Sequence, residues 1–255
     1  MSDPISPDHY KGAGGKRATR KRHRVTEMRS VQVKEKPILF SKPMVLALLN
    51  TRVGTWPAEP IDASKPWKWQ TRRLISKKDQ AWWAATSWET DDDGWPMVMD
   101  DAGDMVRMPA PCPVGTRLWV REGLIRPDGD PWCYRADNQV VMVSKSDETA
   151  MLTWAHHKQQ EYCPSMFMPR WASRIALEVM EARFQPLQNI TEEDAKAEGA
   201  QPWPHDPQQR MTSGELGIEQ PYRGGFACLW DDINEDRATW LSNPHLWAYS
   251  LKRLK

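Results

Sequence analysis

No run of eighteen apolar residues occurs anywhere in this 255-residue chain, so its sequence holds no candidate membrane-spanning helix. The first residues are basic but lead into no apolar stretch, which speaks against a secretory signal. Cysteine is sparse: Cys112, Cys133, Cys163 and Cys228 lie far apart and form no C-x-x-C pair. A disulfide framework is thereby disfavoured, and reduced thiols of a cytoplasmic protein are expected. His156-His157 ahead of Cys163 lacks a second cluster to complete a metal site, so neither metal nor cofactor is expected. An excess of one charge is missing too, with 35 Lys+Arg against 34 Asp+Glu. Net charge therefore decides nothing about a nucleic-acid partner. Phenylalanine and tyrosine number only 4 and 5, whereas tryptophan reaches 15. Trp119 and Trp247 sit in strand-like apolar runs and read as core; Trp69, Trp82 and Trp83 lie beside polar residues and read as pocket-lining.

Where the charge sits is more informative than its sum. Lys11, Lys16, Arg17, Arg20, Lys21, Arg22 and Arg24 fall in one acid-free stretch with Gly12, Gly14 and Gly15. Residues 1–33 thus read as a disordered basic arm, followed by a single domain over 34–255. Beyond Arg24 remain 28 bases and 32 acids, so the positive potential lies in the arm and in local patches. Such an arm suits sequence-independent phosphate contacts, or is simply solvated.

Pro37 to Phe40 reads as a strand and Ser41 as the N-cap of a helix, with Pro43 in its first turn and Met44, Val45, Leu48 and Leu49 on one face. Residues 53–67 carry Gly54 and several prolines and form a loop that delivers the chain to Lys68. A core strand follows at 71–75. Within 77–112 a hairpin is expected through 97–99 and 105–107. Further strands are expected at 117–122, 132–135, 174–179 and 245–251, the third with Ile175, Leu177 and Val179 inward. A helix N-capped by Thr191 ends at Gly199, and another spans about 225–233 with Phe226, Leu229, Trp230 and Ile233 on one face. The stretches 53–67, 77–112, 136–165 and 200–222 read as insertions. The fold class is α+β, a small mixed barrel with short helices at its ends.

Lys68-Trp69-Gln70-Thr71-Arg72-Arg73 holds an ammonium, a hydroxyl and two guanidiniums within six residues. In extended backbone Lys68, Gln70 and Arg72 project one way and Trp69, Thr71 and Arg73 the other, and a bend at Gln70 would bring Lys68 and Thr71 together. A solvated basic edge strand is the plain alternative. Glu198 poses a separate question. It occupies the last turn of its helix, where the dipole does not favour a carboxylate, so it is either exposed or held by another group.

The order of these motifs resembles a known family. The segment from Ile38 to Met44, Lys68-x-Gln-Thr-Arg-Arg73, Gly115-Thr-Arg-Leu-Trp-Val-Arg-Glu122, Met168-Pro-Arg-Trp-Ala-Ser-Arg174, Thr191 to Gly199 and Trp240 to Leu251 are together similar to the ASCH-domain proteins of the PUA-like superfamily, in the enlarged form found in tailed bacteriophages and prophages. The resemblance implies a PUA-like β-barrel whose cleft binds RNA, DNA or a modified base or nucleoside. The lack of a long apolar run predicts no membrane partner, and for a phage protein the resemblance implies the host cytoplasm. One branch of that family hydrolyses N4-acetylcytidine with a lysine, a threonine and a glutamate, which Lys68, Thr71 and Glu198 match in place. Two departures stand out: about fifteen residues are inserted before Lys68, and Trp69 replaces a threonine.

Three functions follow as expectations. In the first the cleft binds a nucleobase, with Trp69, Gln70, Arg72, Arg73 and Trp83 as ligand contacts and Lys16, Arg17, Arg20, Lys21, Arg22 and Arg24 adding phosphate affinity. In the second, a metal-independent amidohydrolase, Thr71 attacks an acyl carbon, a desolvated Lys68 is the base and Glu198 passes a proton to the leaving amine. A lysine-carboxylate contact opposes that use of Lys68 by stabilising its charged form. The third is an accessory phage role without catalysis. If the arm binds phosphate, deleting residues 1–30 reduces nucleic-acid affinity and flattens its fall with salt, read by fluorescence anisotropy between 50 and roughly 200 mM salt.

Overall fold

The computed structural model describes residues 35–75, 89–92, 95–99, 103–127, 131–142, 161–202, 218, 220–234 and 236–255. The basic arm, Trp82, Trp83, His156 and His157 lie outside them. Strand β1 (Glu35–Leu39) leads into helix α1 (Lys42–Leu49), with Ser41 at the N-cap and Pro43 in the first turn, as the spacing predicts. Val45, Ala47 and Leu48 face inward. Strand β2 (Gln70–Leu74) follows the loop, and β3 (Glu89–Thr90), β4 (Pro96–Met99) and β5 (Met105–Arg107) make a small antiparallel sheet. Next come β6 (Arg117–Arg121), β7 (Leu124–Ile125), β8 (Cys133–Tyr134) and β9 (Tyr162–Cys163), the last three pairing in the order β8-β7-β9. Strand β10 (Ala176–Pro186), helix α2 (Glu192–Ala197), helix α3 (Pro221–Asn234) and β11 (His245–Arg253) complete the chain.

The main sheet has the order β1-β6-β10-β11-β2, parallel only between β1 and β6. Strand β11, between β10 and the β2 edge, is buried on both faces because alternate residues enter different cores. Trp247, Tyr249 and Leu251 join Leu118, Val120, Leu177, Val179 and Phe184 on one side. Leu246 and Ala248 pack with Leu187, Phe226, Ala227, Trp230 and Trp240 beneath α2 and α3 on the other. The fold is thus α+β, as expected, but the expected barrel is corrected: among the described residues β1 and β2 are free edges and the sheet does not close. A side chain spans the gap instead, with Arg73 Nη2 donating to the Leu39 carbonyl at 2.7 Å.

Strand β10 runs seven residues beyond the predicted 174–179 segment, for a physical reason. A bulge between Val179 and Glu181 shifts its register against β11. Before it the odd residues Ile175, Leu177 and Val179 are buried; after it the even residues Ala182 and Phe184 face the same core. One extra residue inverts the alternation on which a strand assignment rests. Helix α3 likewise starts at Pro221, four residues before the predicted boundary, and the strand expected at 132–135 shrinks to two residues. The hairpin of β4 and β5 forms as expected, with Met99 opposite Met105. Val98 of the hairpin, and Met108 and Ala110 just after it, belong to the main core.

Capping follows the sequence closely. Thr191 Oγ1 accepts from Asp194 N–H at 3.0 Å at the start of α2, and Gly199 ends it with φ of +81°. The last carbonyls of α1 are met from the far end of the chain, where Arg253 Nη1 donates to Leu48 O, Leu49 O and Thr51 O at 2.8–3.2 Å. The four cysteines are free thiols, and no helix among the described residues is long and apolar enough to cross a membrane. Helix α3 approaches the chain at Gln201 so closely that a Cβ on Gly225 would lie 1.9 Å from the Gln201 carbonyl oxygen. Gly225→Ala is expected to cost about 2–3 kcal/mol, read as a lower urea midpoint at unchanged slope.

Candidate functional site

The loop 53–67 leaves and returns to one point. Asn50 Nδ2 donates to Asp62 O at 2.8 Å while its Oδ1 accepts from Asp62 N–H at 2.9 Å. Thr51 Oγ1 accepts from Lys68 N–H at 3.2 Å and lies 2.8 Å from Lys68 O. Lys68, two residues before β2, is therefore held at the C-terminal end of α1, despite the residues inserted between them. Trp69 donates its backbone N–H to Ala197 O and accepts at its carbonyl from Leu251 N–H, which seats the segment between α2 and β11.

From there the predicted alternation holds. Lys68, Gln70 and Arg72 all reach the acids of α2. Lys68 Nζ donates to Glu198 Oε2 at 2.6 Å and to the Glu198 carbonyl at 2.7 Å. Arg72 bridges both carboxylates, with Nη1 at 3.0 Å from Glu198 Oε1 and Nη2 at 2.9 Å from Asp194 Oδ2. Gln70 Nε2 donates to Asp194 Oδ1 at 2.8 Å, and Arg183 Nη2 approaches the same oxygen at 3.2 Å. Lys68 is fully buried, and Arg72 and Glu198 nearly so. The odd placement of Glu198 is resolved: it is the C-cap residue of α2, and two buried cations hold it.

Burial pushes the Lys68 ammonium below its ordinary range, Arg73 and Arg72 add to the shift, and Glu198 opposes it. Burial pushes Glu198 up, but the Lys68 and Arg72 charges outweigh it, and the carboxyl ends below its usual value. Asp194 is lowered in the same way, burial being overcome by Arg72, Gln70 and Arg183. Removing one member of such a cluster strands a buried charge, so the cluster is costly to break whatever its net worth.

On the open side of Glu198 lies a cavity of about 230 Å³. Thr71, Arg72, Arg73 and Glu198 supply its polar wall, and Met44, Phe226, Leu229, Trp230 and Ile233 its apolar one. Lys68 is not among its lining residues and stands behind Glu198. The Thr71 hydroxyl, on the opposite face of β2 from Arg72, has no hydrogen-bond partner among the described residues. The inserted loop contributes no lining residue and does not cover the cavity. Trp69 and Gln70 also stay outside it. The Trp69 ring packs against Trp67 and Trp56, at centroid distances of 6.3 and 5.7 Å, and Gln70 serves Asp194. Trp83 and the arm residues lie outside the described residues.

Sequence reading missed Asp194 as a site residue, although it stood in view as a capping acid, and Arg183, which lies past the bulge. It also missed a second, partly buried ion cluster away from the cavity. Arg174 makes a bidentate pair with Glu122 at 2.8 and 2.9 Å, reaches Asp137 at 2.8 Å and stacks over Tyr134 at 3.9 Å. Burial holds Glu122 above its ordinary value even beside Arg174. This cluster ties the end of β6 to the start of β10. No metal-holding group of His, Cys, Asp or Glu occurs among the described residues. No protein-family model, curated protein or solved structure matches the chain.

Two outcomes are expected. Lys68→Met leaves Glu198 with one cation and should cost about 3–5 kcal/mol in urea unfolding. The folded-state values of Glu198 and Asp194 lie below their unfolded ones, so their contribution is complete above about pH 4.5 and is lost as pH falls through and below that range. Unfolding midpoints between pH 7 and pH 3 should therefore drop below about pH 4.5, and drop less in Asp194→Asn.

Proposed function

We propose that the protein binds a nucleobase, within a nucleic acid or as a modified base or nucleoside, in the cavity bounded by Thr71, Arg72, Arg73 and Glu198, and that it is a PUA-like protein of the ASCH type. The observation that carries this reading is a cavity lined by the fixed Glu198 carboxylate, two arginines and Thr71, whose hydroxyl has no hydrogen bond to a described residue. Glu198 accepts hydrogen bonds, Arg73 donates them and the threonine does either. Donors and acceptors side by side on one wall match the edge of a base, where an exocyclic amine lies next to a ring nitrogen or carbonyl. The facing wall, with Phe226, Leu229 and Trp230, suits the flat face of such a ring. A volume of about 230 Å³ lies just under the usual range for small-molecule sites, roughly 300–1,000 Å³, and favours a ligand of base or nucleoside size. The motif order supports the ASCH assignment, and the two edges of the open sheet are joined through Arg73 and the Leu39 carbonyl.

Hydrolysis is the second reading, and one observation favours it: burial lowers the Lys68 ammonium toward the range of a base. Against it, that ammonium donates two hydrogen bonds to Glu198 and lies outside the cavity wall, so Thr71 and its supposed base are not brought to one surface. Binding is therefore the stronger reading. Calorimetric titration with nucleosides, N4-acetylcytidine among them, should show binding that Thr71→Val weakens about five- to tenfold, the worth of one hydrogen bond. Incubation with N4-acetylcytidine should leave the acetyl group in place; acetate release that disappears in Thr71→Val would overturn the binding-only reading.

A further inference from the structure

Arg73 and Arg237 differ from the other cations of the site. Each lines both the 230 Å³ cavity and a second one of about 460 Å³ that opens between β1 and β2, so with Leu74 they form the wall the two cavities share. Lys68 and Arg72 have carboxylates against them at 2.6–3.0 Å. Neither Arg73 nor Arg237 has an ion-pair partner among the described residues. Arg73 is fixed in place: one N–H goes to Leu39 O at 2.7 Å, and its guanidinium stacks on Phe40 at 4.9 Å. Its buried Nε–H meets no acceptor. Arg237 stands at the turn after α3, its backbone N–H donating to Asn234 O at 2.7 Å, with its side chain exposed.

Two like charges on a common wall repel unless an anion lies between them. Burial lowers the Arg73 pKa, the Glu198 charge opposes that, and the Arg237 charge adds a smaller lowering effect. A guanidinium offers a planar fork of donors that matches two phosphate oxygens. The second cavity is otherwise apolar, with Ile38, Leu118, Trp247 and Tyr249 in its wall.

We propose that Arg73 and Arg237 form a phosphate site at the junction of the two cavities, so that the ligand of this protein is a phosphorylated nucleoside and not the bare base or nucleoside. The phosphate is a monoester in a free nucleotide or a diester in a strand. This assignment rests on the base-binding reading of the neighbouring cavity, and the two stand or fall separately in one experiment.

The full chain is titrated calorimetrically at low salt with cytidine, adenosine, their 5′-monophosphates, the dinucleoside phosphate CpA and sodium phosphate. The best phosphorylated ligand should bind at least tenfold more tightly than its own nucleoside, and Arg237→Ala should shrink that ratio to about threefold or less. Arg237 lies at an exposed turn, so the variant should fold, which its thermal melt checks; Arg237→Lys should keep part of the ratio. Because the basic arm is present in every protein, phosphate affinity that comes from it leaves the ratio unchanged between variants. Preference for the monophosphate or for CpA tells monoester from diester. Nucleosides that bind as well as their nucleotides, or a ratio untouched by Arg237→Ala, overturn the phosphate site and leave the base reading standing. Binding of inorganic phosphate that depends on Arg237, without any nucleoside or nucleotide binding, upholds the site and removes the base reading. Binding of none of the probes overturns both.

Discussion

The contact between Lys68 and Glu198, 2.6 Å long and sealed from solvent, fixes the relation of three elements that are distant in the chain. Lys68 stands at the end of α1 and the head of β2, and Glu198 closes α2. An ammonium moved into the interior loses its hydration and must find it again in protein oxygens. Here those oxygens are the carboxylate and the backbone carbonyl of a single residue. Arg72, four residues further on, repeats the connection and adds Asp194. Helix α2 has only six residues, too short to hold its place by its own hydrogen bonding, so charge does what apolar area does for longer helices.

That arrangement divides the polar residues of one strand into two jobs. Gln70 and Arg72 turn toward α2 and are consumed in holding it, while Thr71 on the other face keeps its hydroxyl open. Glu198 belongs to both sets, tied to cations behind and lining the cavity in front. A carboxylate so held is a rigid acceptor with little freedom to lose when a ligand arrives. Lys68, by contrast, supports the site without facing it.

Much of this was legible in the sequence because it rests on period and on caps. The alternation from Lys68 to Arg73 sorts the side chains as the structure does, and Thr191 and Gly199 bracket α2 where capping chemistry puts them. What escaped has physical causes. The bulge after Val179 inverts a period-two pattern and hides the second half of β10 and Arg183 with it. Leu229 and Ile233 have the spacing of a core face, yet they line the cavity, and Ile233 is half exposed; periodicity names the face but not what covers it. Pairing distant in sequence, such as β1 with β6, and the failure of the sheet to close leave no local mark at all.

The loop 53–67 begins and ends on adjacent backbone, pinned there by Asn50 and Thr51. Its tryptophans pack on Trp69 and not into the cavity. Since neither strand nor helix passes any strain through it, this segment is modular. The pins lie at Asn50, Thr51, Asp62 and Lys68, so the stretch between Thr51 and Asp62 is free to drift in length without moving Lys68, and a foreign sequence grafted there would hang from the fold like a handle, leaving the ligand-facing wall as it was.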